Sequence, residues 1–170
     1  MSIKRLASDG VLTAFALIIF ILEMQLPPLL PIPGIKPGLS NIITLFALCF
    51  LGGKDAFLIV TARILLGTAL TGNPAAMLYS LAGGLCCLGV EFLLFFVCHV
   101  KPIWAVSTVG AITHNTAQLA VAALVTKTAA VFAYLPFLWA AAILTGLFTG
   151  LCITYLAEHH KDTLDRLFSK

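Results

Sequence analysis

The chain has 170 residues, of which 61% are apolar and only 10% are Asp, Glu, Lys or Arg, against about 25% charged in an ordinary soluble domain. A mean hydropathy of +1.07 leaves a water-soluble fold too little polar surface to cover itself, so lipid is the outer solvent. The net charge of +3 comes without a basic stripe interleaved with aromatics, which argues against nucleic acid as a partner. At roughly 20 residues per membrane helix, the length admits about six spans and no separate soluble domain.

In chain order the apolar runs predict spans over Val11 to Leu26, Leu39 to Leu51, Ala56 to Leu70, Ala75 to Cys98, Ile103 to Thr126 and Leu135 to Ala157, a single transmembrane domain over 1–170. Lys4 and Arg5 before the first run resemble a signal peptide, but Glu23, Pro27 and Pro28 stand where a small-residue cleavage site would be, so a retained span is expected. The second run is short: its 13 residues would rise about 20 Å, less than the roughly 30 Å hydrocarbon core. It either extends into its flanks or stops partway, buried by neighbours. Gly72-Asn73-Pro74 reads as a turn, and Pro136 suits the first turn of the last helix.

With both termini cytoplasmic, the inner segments hold Lys4, Arg5, Lys54, Lys101, Lys161, Arg166 and Lys170, and the outer ones hold Lys36 and Lys127. That asymmetry fits the positive-inside rule. Gly146 and Gly150 form a G-x-x-x-G in the last span, and Gly10 with Ala14 a weaker small-residue pair in the first; both let helices approach closely. The five cysteines all lie in apolar runs and lack metal or redox spacing, so they read as small apolar side chains.

Polar side chains at membrane depth are costly and line a bundle interior or a cavity. The shortlist is Glu23, Arg63, Glu91, His114, Asn115 and Gln118. Arg63 and Glu91 lie at similar depth, so Arg63 faces either Glu91 in an ion pair or an anionic substrate. His114 and Gln118 share one helix face, with Asn115 about 100° away. Together they form either interhelical hydrogen bonds or neutral donors and acceptors for a polar ligand. No second His or carboxylate stands at metal spacing, and neither a metal nor a cofactor is expected. The connection from Pro27 to Gly38, stiffened by prolines, reads as a cap over the outer mouth, with Lys36 its cation. Ser40 and Asn41 fall at a helix start, where free N–H groups favour an anion.

Pro33-Gly34-Ile35-Lys36-Pro37-Gly38-Leu39-Ser40-Asn41-Ile42, Leu78-Tyr79-Ser80-Leu81-Ala82-Gly83-Gly84 and Gly110-Ala111-Ile112-Thr113-His114-Asn115-Thr116-Ala117-Gln118-Leu119 resemble the Gx transporter family, also labelled heptaprenyl diphosphate synthase component I. The likeness runs from about Leu6 to Leu156, includes an intramembrane arginine at Arg63, and departs at Pro37, where an apolar residue is expected. That family is similar to the substrate-binding S components of energy-coupling factor (ECF) importers. The resemblance implies an all-α, six-helix bundle in the bacterial plasma membrane that holds a small vitamin-like molecule, flavin-like or isoprenoid-precursor-like, near its outer face. Lys36, Ser40, Asn41, Arg63, Tyr79, His114, Asn115 and Gln118 become its substrate-binding residues. Ala7, Gly10 and Ala14 become a face for docking an ECF T protein, which works with two cytoplasmic ATPases. The lack of a Walker-type G-x-x-x-x-G-K-[ST] fits a subunit energised by partners.

The alternative is a non-catalytic membrane component associated with heptaprenyl diphosphate synthase or an electron-transfer complex. A catalytic role would need clustered aspartates for magnesium, and Asp162 with Asp165 in the terminal tail is the nearest approach. No enzyme activity is therefore expected.

Overall fold

The computed structural model describes residues 3–25 and 38–160. The Pro/Gly connection with Lys36 and Pro37, and the tail with Asp162 and Asp165, lie outside the described residues. The described residues form six α-helices: α1 (Ile3–Met24), α2 (Asn41–Phe50), α3 (Gly53–Thr71), α4 (Pro74–Phe92), α5 (Ile103–Thr126) and α6 (Leu135–His159). α4 continues into a π-helical turn at Leu93–Val97, and a 3₁₀ turn at Ala129–Tyr134 leads into α6.

The ends of these helices follow from local chemistry. Gly72 closes α3 in the left-handed region (φ 63°). The side chain of Asn73 then accepts the Ala76 N–H at 3.1 Å, with Pro74 in the first turn of α4. Asn73 is therefore the N-cap of α4. α1 begins at Ile3, well before the first apolar run, because Lys4, Arg5, Ser8 and Asp9 lower hydropathy without breaking a helix. α2 has ten residues, about 15 Å of rise. The second apolar run thus stops partway.

Three stretches, Ile3–Met24, Ala76–Val97 and Ala129–His159, are long and apolar enough to cross a membrane. α3 and α5 have the length but carry the polar load: Lys54, Asp55 and Arg63 on one, Ser107, His114, Asn115 and Gln118 on the other. The burial pattern is inverted relative to a soluble protein. Val11, Phe15, Ile18, Phe137, Leu144 and Phe148 are exposed, whereas Arg63, Glu91, His114, Asn115 and Gln118 are each no more than 3% exposed. Such an arrangement is stable only with lipid outside, and the protein is a membrane protein.

α5 is the central helix, packed along α4 and α6, while α1 lies chiefly on α3 and α2 inserts among its neighbours. The α5–α6 seam is the close one. A Cβ on Gly146 would sit 2.6 Å from Thr108 Cα, and one on Gly150 2.4 Å from Trp104 Cα. The G-x-x-x-G therefore serves packing within the chain. Ser107 Oγ and Thr149 Oγ1 meet across that seam at 2.7 Å. At the other end of α1, Arg5 donates to the Asp55 carboxylate and to the Leu51 carbonyl, tying α1 to the α2–α3 turn.

Candidate functional site

Because α2 is short, its N-terminal end meets the middle of α3. Arg63, ten positions beyond Gly53, donates from Nη1 to Ser40 Oγ and from Nη2 to Asn41 Oδ1 at 3.2 Å. Asn41 Nδ2 lies 3.0 Å from His114 Nδ1, and His114 Nε2 lies 2.5 Å from Gln118 Nε2. A neutral imidazole donates from one nitrogen and accepts on the other, so one of the two flanking amides turns its oxygen to the ring. The result is a continuous polar chain from α3 through α2 to α5.

The fourth contribution comes from α1. Glu23, 4% exposed, accepts the backbone N–H of Gly38 and that of Leu39 at 3.0 Å. The anion that the start of α2 attracts is thus the protein's own carboxylate. Gly38 has φ 84°, a conformation that glycine adopts without steric cost, and an added Cβ would stand 3.0 Å from His114 Nε2.

α4 supplies the floor. A Cβ on Gly83 would lie 2.8 Å from His114 Cε1 and from Gln118 Cγ, so the imidazole rests directly on α4 backbone. Phe20, Glu23, Gly38, Ser40, Arg63, Ser80, His114 and Gln118 surround a void of ≈ 10 Å³, room for about one water. Arg63 Nε faces no hydrogen-bond acceptor. Donors, acceptors and two opposite charges are thus gathered in one buried layer.

A family model described as heptaprenyl diphosphate synthase component I matches residues 12–156. The chain belongs to this family. No curated protein and no solved structure matches the chain.

Within this component I chain, Ser40, Asn41, Arg63, His114 and Gln118 come together. Two other residues singled out with them do not. Asn115 points to α6 and donates to the Leu138 carbonyl at 3.0 Å. Tyr79 is buried in an apolar cluster with Leu119, Ala122, Val131 and Leu138. The Arg63–Glu91 ion pair is absent and that expectation is corrected: Arg63 turns to the start of α2, while Glu91 sits against Gly110 in a separate cavity. Ala7, Gly10 and Ala14 all lie on the exposed surface of α1, with nothing within 4 Å of a Cβ placed on Gly10.

Glu23, Gly38, Ser80 and Gly83 join the site without having been assigned to it from the sequence. Glu23 carried a signal, being a carboxylate at the end of an apolar run, and Gly83 lies in one of the three segments that carry the family resemblance. Nothing in the local sequence points to the contacts themselves.

Proposed function

We propose that this protein is the substrate-binding membrane subunit of an ECF-type importer: a six-span bundle in the bacterial plasma membrane, with both termini cytoplasmic, that holds a small vitamin-like molecule. The observation that carries this reading is the convergence of Ser40, Asn41, Arg63, His114 and Gln118 from three helices on the bare backbone of α4 at Gly83. Helix interfaces in lipid are held by scattered single hydrogen bonds; a layer with an unspent guanidinium donor beside glycines is suited to a guest with acceptor groups.

The conformation described is the closed one, in which the polar groups satisfy each other and Glu23 occupies the start of α2. A vitamin-sized guest requires several hundred Å³, so entry requires the 38–41 segment to move away from Arg63 and His114. Tyr79 and Asn115 then support the site from behind, the first in the apolar cluster and the second through α6. The exposed small residues Ala7, Gly10 and Ala14 are the face for a T protein, which couples to two ATPases.

The test is mass spectrometry of small molecules that co-purify with the detergent-solubilised protein, repeated on His114→Ala and Gln118→Ala. A defined molecule retained by the wild type and lost from both variants supports the reading; equal retention by all three rejects it.

A second reading is favoured by a different feature. An open apolar groove of ≈ 830 Å³ between α3 and α4 is lined by Gly53, Lys54, Phe57, Leu58, Leu85, Leu88, Gly89 and Phe92. One cation beside an apolar channel suits an isoprenoid tail with an anionic head, as a non-catalytic component of a heptaprenyl diphosphate synthase would need. Phe57→Asp should abolish association with prenyl diphosphate in that case, and leave retention of a polar guest intact in the first.

A further inference from the structure

A second polar cavity lies beyond Asn41, and it is built differently from the first. Gly38, Asn41, Cys87, Glu91, Ser107, Ala111, Thr145, Gly146 and Thr149 enclose a void of ≈ 10 Å³, again room for about one water. Glu91 is 2% exposed, and its Oε2 has no hydrogen-bond partner. No ion pair joins it to a described cation.

The hydroxyls around the cavity have already committed their protons. Thr145 Oγ1 donates to the Ala141 carbonyl at 3.0 Å, and Thr149 Oγ1 to the Gly146 carbonyl at 3.1 Å. Since Thr149 has one proton, the 2.7 Å contact with Ser107 is a bond that Ser107 donates. Every hydroxyl therefore has its lone pairs, and no proton, left for the cavity. Beside them stands a carboxylate oxygen that nothing satisfies. The titratable groups facing Glu91 are thiols: Cys87, one turn earlier on α4, whose side chain hydrogen-bonds to the Glu91 carboxyl, and Cys49 from α2. α5 and α6 present hydroxyls, glycine and Ala111 there, none of them titratable.

Apart from the Cys87 thiol and the Asn41 amide, the polar lining is hydroxyl acceptors and one carboxylate, which leaves the cavity short of a positive charge. An unpaired ionised carboxylate costs several kcal/mol in such surroundings, and hard oxygen ligands around a water-sized space suit a small hard cation. We propose that Glu91, Ser107, Thr145 and Thr149 form an intramembrane site for one small monovalent cation, taken either as a proton on the carboxylate or as a sodium ion beside it. The site stands independently of the guest proposed above. It touches that guest's layer through Asn41, which lines this cavity while bonding Arg63 and His114, so cation occupancy changes the field at the start of α2.

The experiment is thermal unfolding of the full chain in detergent across pH 6 to 9, in sodium chloride and in choline chloride at equal ionic strength, for the wild type and Glu91→Gln. If the cation is sodium, the wild type gains roughly 3 to 6 °C at tenfold excess over the dissociation constant, choline gives no gain, and Glu91→Gln does not respond. If it is a proton, the two salts coincide, wild-type stability falls as pH rises, and the variant lacks that component. Identical salt and pH profiles for the two proteins overturn the proposal. Should Glu91→Gln yield no folded protein, Ser107→Ala carries the test. It should weaken sodium binding about tenfold, or move the proton profile to lower pH because the neutral carboxyl has lost its acceptor. A Ser107→Ala profile matching the wild type would then overturn it.

Discussion

Gly83 and Gly89 lie on the same helix and receive the same substitution with opposite expected outcomes. An alanine Cβ at Gly83 would stand 2.8 Å from His114 Cε1 and Gln118 Cγ, whereas one at Gly89 meets nothing within 4 Å. Moving the imidazole from 2.8 Å to the 3.4 Å of ordinary contact shifts it by about 0.6 Å, which stretches the 3.0 Å Asn41–His114 bond beyond hydrogen-bonding range. Overpacking of this kind costs roughly 1–3 kcal/mol. Both variants share the helix-propensity gain of alanine over glycine, up to about 1 kcal/mol, so their difference isolates the packing. At 2–4 °C per kcal/mol for a chain of this size, Gly83→Ala should melt roughly 2 to 12 °C below Gly89→Ala. The assay is thermal unfolding in a single detergent, with retention of the co-purified molecule measured alongside. Equal melting temperatures would refute the placement of His114 on the α4 backbone, and with it the floor of the site.

Asn115→Ala should lower stability by about 0.6 kcal/mol, the average for an interhelical hydrogen bond in lipid. Guest retention should be unchanged, whereas His114→Ala abolishes it; mass spectrometry and melting on the same preparations separate the two. Gly150→Ala places its Cβ 2.4 Å from Trp104 Cα, which only a shift of whole helices relieves. It should therefore melt below any variant whose new methyl meets side chains alone, and should break the Ser107–Thr149 bond. For the α1 anchor, a double-mutant cycle of Arg5→Ala and Asp55→Asn should be non-additive, with the double variant more stable than the two single losses predict. Raising salt should shrink that coupling, because the Arg5 side chain is 35% exposed.

The fifth helix was legible residue for residue. Its apolar run is long, no charge interrupts it, and Pro102 and Lys127 bound it, so hydropathy and backbone preference gave the same answer. The start of α1 was not, because a helix needs only propensity, and the polar Lys4, Arg5, Ser8 and Asp9 have enough of it while lacking the apolarity that marks a span. The site divides on the same line. His114 and Gln118 share a face by helical geometry alone, which the sequence carries, and their side chains do meet. Arg63 has several partners of suitable chemistry at its depth, and spacing cannot choose among them. Depth along a straight span favours Glu91, but the choice is made by the short α2, whose first turn brings Ser40 and Asn41 to the level of Arg63.

That half-length helix also explains why the two polar cavities exist side by side. A full span in its place would run apolar side chains past Arg63 and Glu91, leaving both charges facing hydrocarbon at prohibitive cost. A helix that begins at mid-depth instead offers each of them a polar terminus. Ser40 and Asn41 meet the guanidinium on one side, while Asn41 and Gly38 close the Glu91 cavity on the other. The free N–H groups of that terminus are in turn met by Glu23 from α1. Removing Glu23 alone therefore acts on both cavities, since the terminus it holds is a wall common to each.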